Sequence, residues 1–134
     1  MTVKWDGPAV IVAVRRGAMR GVVRGTESVR TEADSLMNET PRTGRSYTRR
    51  GVTHIASSPG NAPAPDTGRL RQSLQTLYDT SALVGTVNAA TAYAAALEFG
   101  TSRIEPRPFM RPALASQVRN IESDIAAEIR RALA

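Results

Sequence analysis

The segment Tyr93–Leu114, YAAALEFGTSRIEPRPFMRPAL, restricts what this chain can fold into more than any other stretch. Pro106, Pro108 and Pro112 follow one another closely. Each fixes its own φ and drives the residue before it out of the helical region. Gly100, just after Glu98-Phe99, suits a tight turn that a side chain would block. The stretch holds no nucleophile beside a base and no metal-ligand spacing. It reads as a rigid joint between a strand and a helix, formed by Glu98, Phe99, Gly100, Thr101, Pro106, Pro108, Phe109 and Pro112, and the Ala-rich stretch 89–99 has room for a short helical turn. Phe99 and Phe109, the only two phenylalanines, bracket it and are expected to anchor it in the core.

Helices are predicted on both sides. After the joint, Leu114, Val118, Ile121, Ile125, Ile129 and Leu133 recur at helical spacing, with Arg119, Glu122, Asp124, Glu128 and Arg130 off the stripe, which predicts a helix over 111–133 with Pro112 in its first turn. At the other end, Ile11, Val14, Ala18, Val22, Val29, Ala33 and Leu36 predict a long helix over 8–39, again opened by a proline, Pro8. Two features of that helix leave alternatives open. Gly17, Gly21 and Gly25 each cost about 1 kcal/mol relative to alanine, so either the helix is weak or another backbone comes close there. Arg16, Arg20 and Arg24 form a like-charged row that is either a solvated face or one that meets acidic groups of a neighbouring subunit.

Between the helices the pattern changes. Residues 40–66 combine prolines and glycines with Arg42, Arg45, Arg49 and Arg50, and read as an extended arm that adds little to the core. The arm holds the single histidine, His54, read as a surface residue with no acid or thiol nearby. A small antiparallel sheet and the joint occupy 67–110: Leu70–Tyr78 fits helix or strand, Ala82–Asn88 fits a strand, and Asp79-Thr80-Ser81 is the turn of a hairpin. The fold class expected is α+β in a single domain.

Composition limits function. The formal charge is +6, and all basic residues but Lys4 are arginine, a bias toward bidentate contacts with carboxylates or phosphates. No run reaches the roughly 18 apolar residues of a membrane span, and no signal peptide is read at the start of the chain. Cysteine is absent, which excludes disulfides and thiolate metal sites. No phosphate-cradling loop, dinucleotide fingerprint, zincin motif or nucleophile elbow occurs, and Glu105 reads as the ion-pair partner of Arg103 or Arg107 rather than as half of a carboxylate dyad with Glu98. Neither an enzymatic role nor a cofactor is expected. The arm's arginines, interleaved with Tyr47, keep contact with nucleic acid open.

Three segments together carry a resemblance. They are Gly51–Pro65, with His54, Ser57, Ser58, Pro59, Gly60, Ala62 and Pro63; Asp66-Thr67-Gly68-Arg69-Leu70-Arg71-Gln72-Ser73-Leu74; and Tyr93 to Leu114 through Glu98-Phe99-Gly100-Thr101 and Pro106-Arg107-Pro108-Phe109-Met110-Arg111-Pro112. In this order, over roughly 41–114, the chain resembles the small tail-completion (head–tail joining) proteins of long-tailed bacteriophages. One departure is Asn61, where the family pattern has an acid before Ala-Pro. The resemblance implies a long N-terminal helix, a small sheet and a C-terminal helix packed on that sheet. It also implies a homo-oligomeric, hexameric ring in the virion neck, put together in the host cytoplasm. Its neighbours would be head-connector and tail-terminator or tail-tube proteins, and DNA would pass through its channel. The alternative reading is a basic nucleic-acid-binding or assembly accessory protein not retained in the particle.

Overall fold

In the computed structural model, which describes residues 1–134, the elements are α1 (Gly7–Glu39), β1 (Ser46–Arg49), β2 (Val52–Ile55), α2 (Arg69–Gln72), β3 (Leu74–Asp79), β4 (Val84–Ala89), α3 (Ala94–Phe99) and α4 (Met110–Leu133). The class is α+β, with a long first helix and a long C-terminal one. The strands form two separate antiparallel pairs, β1–β2 and β3–β4, rather than one sheet.

The sequence supplies the ends of α1. Asp6 Oδ1 accepts a hydrogen bond from the Ala9 N–H at 3.2 Å, capping the helix two residues before Pro8, which lies in its first turn. The helix stops at Thr40, whose extended backbone is the conformation a residue before proline prefers. In between, the close-approach alternative for the glycines is the one realised. A Cβ at Gly17 would lie 2.7 Å from the Glu128 carbonyl oxygen, one at Gly21 would collide with the Ile125 backbone, and one at Gly25 would lie 2.8 Å from Ile121 Cγ1. α4 therefore runs antiparallel to α1, pressed into a groove that only hydrogen side chains leave open.

This contact corrects one expectation. α4 packs along α1, and it is α1 that touches β3 and β4. The layer order is α4, α1, hairpin. Close glycine contact gives α4 a better partner than the small sheet, which has room for one helix only. Leu70–Tyr78 divides between the two readings: Arg69–Gln72 is a helical turn and β3 begins at Leu74, in register with Ala89 of β4.

The core is thin and lies beside the C-terminal half of α1. Val29, Ala33 and Met37 meet Leu70, Leu74, Ala94, Phe109, Ala113 and, from the arm, Ala62. Only 18 of 134 residues are buried, and the chain exposes 9035 Å², where a compact monomer of 14.4 kDa would expose roughly 6,800 Å². The stripe of α4 explains part of the excess: Leu114, Val118 and Leu133 are exposed, because α1 covers just one edge of that helix.

The arm is also not structureless. β1 and β2 form a hairpin closed by Arg50 and Gly51, both at positive φ, the geometry of a two-residue hairpin turn. After it the chain is tied down: Ser57 is 1% exposed and Ala62 lies in the core.

Candidate functional site

The joint is built around one carboxylate. Glu98, at the end of α3, is 6% exposed, and it accepts hydrogen bonds from the backbone N–H groups of Phe109 (2.8 Å), Met110 (3.0 Å) and Arg111 (2.8 Å). These are the first N–H groups of α4, which has no side-chain cap of its own. A helix start leaves such donors unpaired and carries partial positive charge. Glu98 answers both needs from eleven residues upstream, and Arg111 Nε, 3.7 Å from its Oε1, adds a charge partner at the surface.

The loop between Glu98 and Phe109 is shaped to bring the two together. Gly100 has φ 74° and ψ 172°, a region open almost only to glycine, and a Cβ there would lie 2.9 Å from Pro106 Cδ. Thr101 closes a turn: its Oγ1 accepts from the N–H groups of Arg103 and Ile104 at 3.2 and 3.1 Å, and its own N–H donates to the Ile104 carbonyl at 2.8 Å. The Arg107 N–H then returns to the Leu97 carbonyl at 2.6 Å. Pro106 and Pro108 hold the extended run into Phe109, and Pro112 falls in the first turn of α4.

The two phenylalanines part company. Phe109 is 1% exposed and fills the core, whereas Phe99 is 65% exposed and lies under the Arg111 guanidinium, 4.6 Å from the ring centroid. Phe99 is the residue next to the Gly100 turn, so its side chain leaves the helix on the outer side. The expectation that both anchor the joint is corrected. Glu105 makes no ion pair with Arg103 or Arg107. Arg107 Nε instead donates to the Ser57 carbonyl at 3.3 Å, and the Gly60 N–H donates to the Pro106 carbonyl at 3.0 Å, stitching the arm to the joint.

Within the arm, Arg42, Arg45 and Arg50 are exposed and make no ion pair, while Arg49 Nη1 lies 3.2 Å from Asp66 Oδ2. His54 does have an acid beside it, correcting the sequence reading: its Nδ1 is 2.8 Å from Asp66 Oδ1, and its ring stacks on Tyr47 at 5.5 Å. Burial and the nearby Asp66 carboxylate push the Tyr47 phenol above its ordinary value. Of the four arm arginines, only Arg49 is held by a carboxylate.

A tighter arginine cluster lies elsewhere. Arg15, Arg16, Arg20, Arg24 and Arg131 line an open cavity of about 730 Å³ over Met19, Val23 and Leu83. At one edge sits Glu128, 2% exposed. Its Oε2 accepts from Arg20 Nε at 2.9 Å, its Oε1 lies 2.5 Å from Arg131 Nη1 and 3.4 Å from Arg24 Nη1. The hydrogen bond from Arg20, with the other guanidiniums, holds the Glu128 carboxyl below the ordinary glutamate range despite its burial. The Arg16–Arg20–Arg24 row is thus neither simply solvated nor reserved for another subunit, since two of its members pair with α4 of the same chain. Sequence reasoning put Glu128 off the apolar stripe and missed its burial; the signal is its position opposite Arg20 once the helices are known to be antiparallel.

A second clamp fixes the Thr67-Gly68-Arg69-Leu70-Arg71 segment. Arg71 makes a bidentate contact with Asp34, at 2.7 and 2.9 Å, and donates to Asn38 Oδ1 at 3.0 Å. The hydrogen bond from Arg71 lowers the Asp34 carboxyl. No group of three or more His, Cys, Asp or Glu side chains is placed to hold a metal ion. No protein-family model, curated protein or solved structure matches the chain. What these side chains do is hold backbone in place and present arginine and apolar surface.

Proposed function

We propose that this chain is a structural, non-catalytic subunit of the head–tail junction of a long-tailed bacteriophage or phage-derived particle. It works as a homo-oligomeric ring, hexameric by the resemblance, between head-connector and tail-terminator or tail-tube proteins, around the DNA channel. The observation that carries the assembling part of this reading is the surface: about 2,200 Å² more than a compact monomer of this mass would expose, with Ile11, Val12, Leu114, Val118 and Leu133 among the exposed apolar side chains of the two long helices. A chain that buries so little by itself gains stability by covering that surface with other subunits. The resemblance of Gly51–Pro65, Asp66–Leu74 and Tyr93–Leu114 supports the particular assembly. The capped, proline-clamped joint suits the role, since it fixes α4 without any chemistry.

The test is gold labelling of a tagged copy in purified particles, viewed by electron microscopy. Label at the junction between head and tail upholds the proposal; label at the distal tip, or absence of the protein from particles by mass spectrometry, overturns it. The second reading, a basic nucleic-acid-binding or assembly accessory protein, is favoured by one feature, the five-arginine cavity with a single carboxylate at its edge. It requires DNA affinity that falls steeply and log-linearly with salt, by a slope near 0.9 per phosphate contacted. Salt-insensitive binding, or none, removes it.

A further inference from the structure

α1 outruns the rest of the fold. The Ala132 side chain touches the Gly17 position, α4 stops at Leu133, and Arg15 reaches the β3–β4 turn through the Ser81 carbonyl at 2.6 Å. Yet α1 starts at Gly7, so on the order of 12 Å of helix projects beyond the body at 1.5 Å per residue. That projection is apolar. Ile11 is 61% exposed, Val12 55%, and Trp5 and Val3, just ahead of the helix, 77% and 84%. The Trp5 indole turns back over the first turn, close to Gly7, and widens the knob.

The same molecule carries an empty apolar groove. It runs between α1, β4 and α4, has a volume of about 540 Å³, and is lined by Val22, Val29, Val87, Leu114 and Ile121 among others. Leu114, at its rim, is 51% exposed. At its floor β4 lies directly against α1, since a Cβ at Gly85 would run into Thr26. A molecule cannot fill its own groove with its own knob. Both belong to one unbroken helix, and Ile11 and Val22 are separated by roughly 16 Å along its axis.

We propose that the projecting end of α1, carrying Trp5, Ile11 and Val12, docks into the α1–β4–α4 groove of a second copy of this chain. The proposal rests on reading the chain as an assembling subunit and names the surfaces that meet. Two arguments choose a copy over another partner. The knob and the groove are both apolar, and both are left open in the one chain, so each copy offers what the next one lacks. The area also fits. A standard interface takes about 800 Å² from each partner, and a subunit that gives its knob to one neighbour and its groove to another uses two such patches, about 1,600 Å², within the roughly 2,200 Å² excess. Because the two patches differ, the contact is head-to-tail, the kind that closes into a ring or continues as a filament instead of stopping at a two-fold dimer.

The absence of cysteine makes the test clean. Ile11→Cys and Leu114→Cys are made as separate full-length proteins, mixed and oxidised, with Thr48→Cys on the exposed arm as the control partner. The expected result is an Ile11→Cys/Leu114→Cys cross-link at least about tenfold above the Ile11→Cys/Thr48→Cys background. In parallel, Ile11→Asp is expected to weaken self-association in analytical ultracentrifugation by about tenfold or more while far-UV circular dichroism stays unchanged. Fluorescence of Trp5, the only tryptophan, is expected to shift to the blue as the parent protein assembles. If the protein assembles but the cross-link does not exceed background, the docking is wrong and the assembling-subunit reading survives. If the protein sediments as a monomer at every concentration up to about millimolar, both fall.

Discussion

Removing the carboxylate of Glu98 is the sharpest way to probe the joint. The structure gives it three backbone donors, Phe109, Met110 and Arg111, all within 3.0 Å, in a setting that is 6% exposed. Glu98→Gln keeps the shape and one acceptor oxygen but takes the negative charge away from the start of α4, and is expected to cost about 2 kcal/mol. Glu98→Ala removes every acceptor and leaves three N–H groups facing a small void. Each buried donor left unpaired costs about 1–3 kcal/mol and the three are not additive, so the expected loss is about 4 kcal/mol. A domain of this size has roughly 5–15 kcal/mol in total, and the thin core places this one toward the lower end, so Glu98→Ala is expected to be partly unfolded at 37 °C. Urea titrations followed by circular dichroism measure both variants, with an unchanged m-value showing that the same surface unfolds. If both variants stay within about 0.5 kcal/mol of the parent, as ordinary surface substitutions do, the capping argument is refuted and the joint's rigidity must come from its prolines alone.

Three further outcomes are expected. Gly21→Ala gains about 1 kcal/mol in helix propensity but forces α1 off the Ile125 backbone; overpacking costs about 1–3 kcal/mol or more, and a net loss near 2 kcal/mol by the same titration is expected, whereas a gain would mean that the helices are not in contact there. Glu128 and Asp34 have folded-state carboxyls lowered by Arg20 and Arg71, so each contributes stability that is present above its unfolded value and is lost as pH falls through the folded one. Stability should therefore decline below about pH 5, and Glu128→Gln should flatten that acid limb without changing its shape above about pH 6; an unchanged acid limb would sink the assignment. Deleting Ser46–Ile55, whose strands are exposed on nearly every residue, is expected to leave cooperative thermal unfolding intact. Extending the deletion through Gly60 removes Ser57, which holds Arg107, and should lower the midpoint by several degrees, on the scale of roughly 3 °C per kcal/mol for a chain of this length.

The helices were legible in the sequence because their apolar spacing is periodic and each opens with a proline. The partner of each helix was not, because a glycine every fourth residue is compatible with a weak helix or a close contact, and only a second backbone decides between them. Phe99 and Phe109 show the same limit at one residue's resolution: both sit in the joint, and the backbone path through Gly100, invisible to composition, turns one outward. The joint itself was recognisable from Gly100 and the prolines. The task of Glu98 was not, since its three partners lie eleven to thirteen residues downstream and no short motif links them. The arm was misread for a different reason. Its hairpin has almost no buried face, so the alternation of apolar and polar residues that marks a strand is missing, and Arg50-Gly51 alone had to signal the turn. Asp66, which engages both Arg49 and His54, ends the arm seventeen and twelve residues after them, a spacing that signals no contact.

The contact between Gly17 and Ile129 also fixes when this molecule can take shape. The two residues are more than a hundred positions apart, and the glycine face of α1 has nothing to rest against until α4 exists. During synthesis, at roughly 5–20 residues per second, α1 leaves the ribosome first and waits several seconds with its glycine face and apolar knob uncovered. An isolated helix with three glycines is a poor survivor in water. The groove between α1, β4 and α4 needs α4 for one of its walls. Under the docking proposed above, a chain stopped short of α4 lacks that wall, and an incomplete subunit is barred from accepting the next copy.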